Sequence, residues 1–173
     1  MIDRQPTLTG DLVHLRPMRE ADYPALYAVA SDPEIWSLHP ARDRWREDLF
    51  RQYFEDGLAS GGALVIVDCP KKLVIGSSRY GPYDVERDRI EIGWTYLTRD
   101  YWGGPHNRDV KRLMLGHMLP SVYAVVFRVA ETNLRSRRAL EKIGAALTEE
   151  RSTIEINDRE WQHLVYTTSR VPS

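Results

Sequence analysis

Residues 89–118 constrain the fold more than any other stretch of this chain. Arg89-Ile-Glu-Ile-Gly-Trp-Thr-Tyr-Leu97 alternates with the period of a strand. Alternation puts Ile90, Ile92, Trp94 and Tyr96 on one side and Glu91, Gly93, Thr95 and Leu97 on the other. A glycine-containing loop, Trp102-Gly-Gly-Pro-His106, then leads into a helix expected over residues 107–118. Asn107 is the expected N-cap, Val110, Leu113, Met114 and His117 the inward face, and Pro120 the stop. A loop that feeds a helix N-terminus presents unpaired backbone N–H groups at the positive end of the helix dipole. Such a junction can hold a pyrophosphate without any charged side chain. Many glycine-containing junctions bind nothing, so this segment alone defines a geometry and not a ligand.

The other elements follow from pattern. Leu12-Val-His-Leu-Arg16 alternates as a strand, and a helix over residues 20–30 is closed at Asp32-Pro33, because the residue before proline resists the helical region. A second helix is expected over residues 43–59, with Trp45, Leu49, Phe50, Tyr53, Phe54 and Leu58 on one stripe and Gly61-Gly62 beyond its end. Ala63-Leu-Val-Ile-Val-Asp68 and Leu73-Val-Ile-Gly-Ser-Ser-Arg-Tyr80 read as a hairpin around Pro70-Lys-Lys72. Val122-Tyr-Ala-Val-Val-Phe-Arg-Val-Ala130 is β-branched and aromatic, hence a strand. Asn133 opens a helix whose Ser136, Leu140 and Ile143 share a face, and Gly144 ends it. Two last strands, residues 147–156 and 160–168, flank Asn157-Asp158. The order predicts a mixed α/β (α+β) domain, a mostly antiparallel sheet flanked by helices, with no internal boundary over residues 1–173.

Composition narrows the partners. The 173 residues suffice for one core without disulfide or metal. A formal net charge of -1 removes the broad electrostatic case for nucleic acid or an anionic membrane. Basic patches remain at Arg135, Arg137 and Arg138 and at Arg42, Arg44 and Arg46. No apolar run reaches the ~18 residues of a membrane span, and Met1-Ile-Asp-Arg-Gln-Pro is not read as a signal peptide. Cys69, the only cysteine, is read as a small residue ending a strand and fits a reducing compartment, so a cytoplasmic location is expected. His14, His39, His106, His117 and His163 fall on different elements without metal-ligand spacing, and no metal is expected. No Walker loop, His-Glu zinc motif or nucleophile elbow is present.

Four segments in this order carry a resemblance: Leu12-Val-His-Leu-Arg-Pro17, Glu91-Ile-Gly-Trp94, Trp102-Gly-Gly-Pro-His-Asn-Arg108, and Asn133-Leu-Arg-Ser136 with Ala139-Leu-Glu-Lys-Ile-Gly144. Over residues 8–168 the chain resembles the GNAT superfamily of acyl-CoA N-acyltransferases, and within it the ribosomal-protein-alanine N-acetyltransferase branch. The resemblance implies a strand splayed from its neighbour, with the pantetheine arm of acetyl-CoA in the gap. The backbone of Thr95, Tyr96 and Leu97 would bond the pantetheine amides. The pyrophosphate would sit over Gly103, Gly104, His106, Asn107 and Arg108, and Trp102 is counted with them as cofactor-binding. Asn133 matches a position that contacts the pantetheine side of CoA, and Trp36, Leu38 and His39 fall where an acceptor-facing loop is placed. The loop departs from the family pattern. Trp102 stands at its first position, Asn107 at its last small one, and Pro105, which has no N–H, at the central glycine. Arg108 is a charge-assisted donor that offsets the missing one.

The implied chemistry is direct attack of a neutral amine on a thioester, which needs a proton acceptor for the amine and a donor for the thiolate. Glu91, on the strand that would carry the thioester, is the candidate base. A tyrosine acid is common in the helix after the Asn, and Leu140 occupies that position here, so Ser136 is the nearest donor. Backbone N–H groups at a bulge near Gly93 to Thr95 would polarise the thioester carbonyl. The expected activity is acetyl transfer from acetyl-CoA to a primary amine of a small molecule or a protein N-terminus. Its rival is a CoA-binding module of the same fold without catalysis. Whether one chain or a homodimer does the work is not encoded in these motifs.

Overall fold

The computed structural model describes residues 2–169. The strands are β1 (Leu8–Thr9), β2 (Val13–Pro17), β3 (Ala63–Asp68), β4 (Leu73–Asp84), β5 (Arg89–Leu97), β6 (Ala124–Ala130), β7 (Ala146–Ile156) and β8 (Arg159–Ser169). The helices are α1 (Tyr23–Ala30), α2 (Glu47–Ala59), α3 (His106–Met118) and α4 (Leu134–Lys142). All strands join one sheet in the order β1-β2-β3-β4-β5-β6-β8-β7. Every pairing is antiparallel except β5 with β6, which is the mixed, mostly antiparallel sheet that the pattern predicts. Among the described residues no helix is long and apolar enough to cross a membrane.

Two apolar layers sandwich the sheet. On one face Val110, Met114 and Met118 of α3 and Leu140 of α4 pack on Ile90, Ile92, Leu97 and Phe127. On the other, Leu26 and Ala30 of α1 and Phe50 and Phe54 of α2 pack with Trp36, Val65 and Tyr96. Burial of this kind on both faces supplies the main driving force for the fold.

Strict alternation along β5 does not hold. Arg79 pairs with Gly93 and Ser77 with Tyr96, so Trp94 and Thr95 together oppose Ser78 in a bulge, and Trp94 takes φ 52°. One extra residue moves every later side chain to the other face. Leu97 therefore joins Ile90 and Ile92, Tyr96 goes to the opposite layer, and Trp94 is turned out to 37% exposure.

Helix starts differ in the same local way. The α2 helix begins at Glu47, and Trp45 and Leu49 are exposed, so the buried stripe is Phe50, Phe54 and Gly57. In α3 the N-cap is Pro105, whose φ of -78° already suits a helix, so Asn107 lies inside the first turn. Its buried face is Asp109, Val110, Lys111, Met114 and Met118, with Leu113 and His117 only partly covered. At α4 the expectation stands: the Asn133 side chain accepts from the Ser136 amide, and Gly144 leaves the helix at φ 81°. Asn157 and Asp158 both have positive φ, the two-residue turn that matches strand twist in the β7–β8 hairpin.

Candidate active site

The two parallel strands pair only at Arg89↔Ala124, Ile90↔Val125 and Glu91↔Val126. Beyond Glu91 they part. The rest of β5 stays bonded to β4, and the rest of β6 to β8 as far as Ala130↔His163. The fork opens a cleft of about 230 Å³, lined by Phe127 and Leu140 from one apolar layer and by Trp36 and Tyr96 from the other. It therefore passes through the sheet.

At one end lies the loop before α3. Gly103 has φ 71°, a conformation that side chains other than glycine's resist, and a Cβ there would meet nothing within 4 Å. The first helical bond runs from Asp109 N to Pro105 O, so the amides of His106, Asn107 and Arg108 precede it and carry the positive helix end. Gly103 and Asn107 line the cleft, whereas Gly104 and Arg108 are exposed beside it. The His106 ring turns inward, 3.0 Å from Asp68 Oδ1 and edge-on to Tyr101. Its Nε2 is thus engaged, and the ring does not line the cleft. The Trp102 indole donates to Leu97 O at 2.9 Å and is covered by the Arg135 guanidinium, 3.8 Å from a ring centroid. One of the β5 backbone groups expected to meet pantetheine is thus already partnered.

The expected catalytic groups are near one another but not equally placed. Thr95, Tyr96, Leu97, Trp102, Asn133 and Ser136 line the cleft, and so does Leu140, a hydrocarbon where a hydroxyl acid was absent by sequence. Glu91 does not line it. Its Oε2 accepts from Arg128 Nη1, which does. Burial raises the Glu91 pKa, opposed by the Arg128 and Arg89 charges.

Four groups without an expected catalytic role converge here. The His163 Nδ1 lies 3.0 Å from Trp161 O, and a carbonyl only accepts, so Nδ1 carries the proton and Nε2 keeps a lone pair. In His39 the Nδ1 accepts from the Ala41 amide at 2.9 Å, which puts the proton on Nε2. Burial lowers both, His39 to about 3 with help from the Arg44, His163 and Arg135 charges. Leu38, expected beside His39, is exposed and outside the cleft. Lys111 is 5% exposed, donates to Thr95 Oγ1 at 2.6 Å, and is pushed down to about 7 by burial. A signal for it existed: it stands three residues before Met114 and seven before Met118, on their face of the helix. Arg44 lies over the rings of Tyr53 and Trp36, at 4.3 and 5.1 Å.

A forked sheet with a helix N-terminus at one end of a through-going cleft is the arrangement that the resemblance to the acyl-CoA N-acyltransferases implies. Residues 13–146 match the family described as "Acetyltransferase (GNAT) domain". This chain belongs to that family. Among solved structures it is similar to a T. thermophilus protein provisionally assigned as an acetyltransferase, with 28% identity, 95% of this chain and 89% of that one covered, and a TM-score of 0.74. It is similar in fold to Mycobacterium smegmatis RimJ in complex with CoA-disulfide (17% identity, 98% and 90% covered, TM-score 0.74). It is also similar in fold to a spermidine N-acetyltransferase from Vibrio cholerae in complex with CoA and spermine (15% identity, 92% and 96% covered, TM-score 0.67).

Proposed function

We propose that the chain is an acetyl-CoA-dependent N-acetyltransferase that acts on a primary amine by direct attack, without a covalent enzyme intermediate. The observation that carries this reading is the fork: β5 and β6 stop pairing after Glu91, and the resulting cleft runs from the α3 N-terminus through the sheet. Two relatives of the same fold hold CoA species, which supports the same cosubstrate here. The residues fit it. The amides of residues 106–108, Gly103 and Arg108 suit a pyrophosphate, and the free side of β5 at Thr95 and Tyr96 suits an amide-bearing arm. Acetyl-CoA, when bound, supplies an activated acetyl group as a thioester.

The chain's own residues then manage two protons. Glu91, bonded to Arg128, accepts in its ionised form from the amine through water, since its carboxylate stands behind the cleft wall. His163 is a second candidate, because its Nε2 lone pair belongs to a neutral imidazole that lines the cleft. Ser136, at the first turn of α4, donates to the departing sulfur, and Lys111, in its protonated form, stabilises the same negative charge from α3. A free thiol near pKa 8.5 is a good leaving group and needs only modest help.

The test is an amine panel spanning small molecules and N-terminal peptides, followed by CoA release and by mass of the acetylated product. Both signals are expected with at least one acceptor. Binding of CoA without release by any acceptor would instead support the non-catalytic module.

A further inference from the structure

The cleft is lined by basic side chains. Arg44, Lys111, Arg128 and Arg135 line it together with His39 and His163, and among the described residues no Asp or Glu lines it. Three of those cations already have work. Arg128 is bonded to Glu91, Arg135 is stacked on Trp102 and donates to Ile35 O, and Lys111 donates to Thr95 in the α3 layer. Arg44 is different. It sits across the sheet from α3, on Trp36 and Tyr53, and makes no ion pair among the described residues. The acidic group that it senses is Asp56, which is bonded to Gln52. Burial accordingly disfavours its charged form.

Around Arg44 the donors are His39 and Tyr96, while the Tyr53 hydroxyl proton is already spent. His39 Nε2 carries a proton, and the Tyr53 hydroxyl is fixed by donation to Trp94 O at 2.8 Å. The Tyr96 hydroxyl, within the same ring cluster, is buried without a hydrogen-bond partner among the described residues. A guanidinium flattened on two rings presents its fork of N–H donors in a fixed plane, which matches the two oxygens of a carboxylate or phosphate. The rings that could otherwise cage an ammonium are taken by Arg44 itself. A polyamine would bring further cations to a wall with no carboxylate among the described residues to meet them.

Resting on the acyltransfer reading, we infer that the acceptor is an amine that also bears an oxoanion, a carboxylate or phosphate, which Arg44 grips on the α1/α2 side of the fork. The phosphates of CoA do not account for Arg44, because they belong with the α3 N-terminus in the opposite layer.

The experiment measures CoA release with matched acceptors: phenylalanine against phenethylamine, 2-aminoethyl phosphate against ethanolamine, and spermidine. Parent enzyme is expected to favour one oxoanion member by about tenfold or more in kcat/KM, and the pair that shows it identifies carboxylate or phosphate. Arg44→Gln should erase the preference by raising KM for that member, leaving its neutral partner within about threefold. Arg44→Lys keeps the charge and loses the fork, and should retain only part of the preference. Equal use of each pair, preference for spermidine, or an equal loss on both members in Arg44→Gln would overturn the inference. No CoA release with any acceptor would count against acyltransfer, and the anion site is then read separately. Tryptophan fluorescence, to which Trp36, Trp94 and Trp102 of the cleft contribute, is titrated with N-acetylphenylalanine and with inorganic phosphate. A saturable change in the parent that is lost in Arg44→Gln supports the site, and no change with either probe overturns it.

Discussion

Arg128 reaches across the fork to Glu91: its Nη1 donates to Glu91 Oε2 just past the last parallel pair, Glu91↔Val126. The bond closes the base of the cleft and sets Arg128 in its wall. The positive charge of Arg128 also opposes the burial that raises the Glu91 pKa.

Glu91→Gln should lower turnover by about 10²–10⁴-fold while acetyl-CoA affinity is kept, the usual effect of losing a general base. A base works deprotonated, and burial raises the Glu91 pKa above 4.5, so rate should fall on acidification through that raised value. The variant should lose this acid limb. A variant within about threefold of the parent, with the limb intact, would pass the role to His163, and His163→Gln would then remove the limb.

Lys111 makes stability depend on pH. Its pKa falls from 10.5 to about 7 on folding, through burial. Above the unfolded value both states are neutral and nothing is lost. As pH falls from 10.5 towards about 7 the unfolded chain takes up a proton that the folded chain refuses, so stability declines, and it levels off below. Lys111→Met should therefore be more stable than the parent at pH 7 by on the order of a few kcal/mol, less the lost Thr95 bond, and nearly equal at pH 10. Urea unfolding at the two pH values decides it. A difference that ignores pH would mean the ammonium is not buried.

Two glycines should respond in opposite directions to the same change. A Cβ on Gly76 would lie 1.9 Å from Tyr96 O, backbone against backbone, so β4 and β5 must separate where β5 faces the fork. Gly76→Ala should cost about 2–4 kcal/mol and weaken acetyl-CoA binding. Gly116, exposed in α3 with nothing within 4 Å of its Cβ position, should gain up to about 1 kcal/mol as alanine. Thermal melts of both variants check the pair of signs.

The strands and helices were legible because their periods are: β3 and β5 fall where alternation and β-branching put them, and Asn133 caps the helix it was read to open. The fork was legible only through family resemblance, since nothing in the residues of β5 or β6 says that two strands pair for three residues and then part. The bulge at Trp94 was half legible. Donation near Gly93 to Thr95 presumed it, yet a strict period of two still put Tyr96 on the wrong face, because that period has no place for an unpaired residue. Lys111 and Arg44 were hidden by their charge, which by itself reads as solvated surface. His39 and His163, 124 positions apart in the chain, meet only through the register of β8 on β6 and the turn after Trp36.

Titration calorimetry of acetyl-CoA into the parent and into Gly103→Val tests the central claim most directly. The account predicts saturable one-to-one binding by the parent, with the fold stabilised by roughly 2.7 kcal/mol at about 100 times the dissociation constant. It predicts at least about tenfold weaker binding in the variant, because valine resists the φ of 71° that shapes the loop before α3. No heat and no thermal shift with millimolar acetyl-CoA, or equal affinity in both proteins, would contradict the assignment of the fork and its loop as the cosubstrate site.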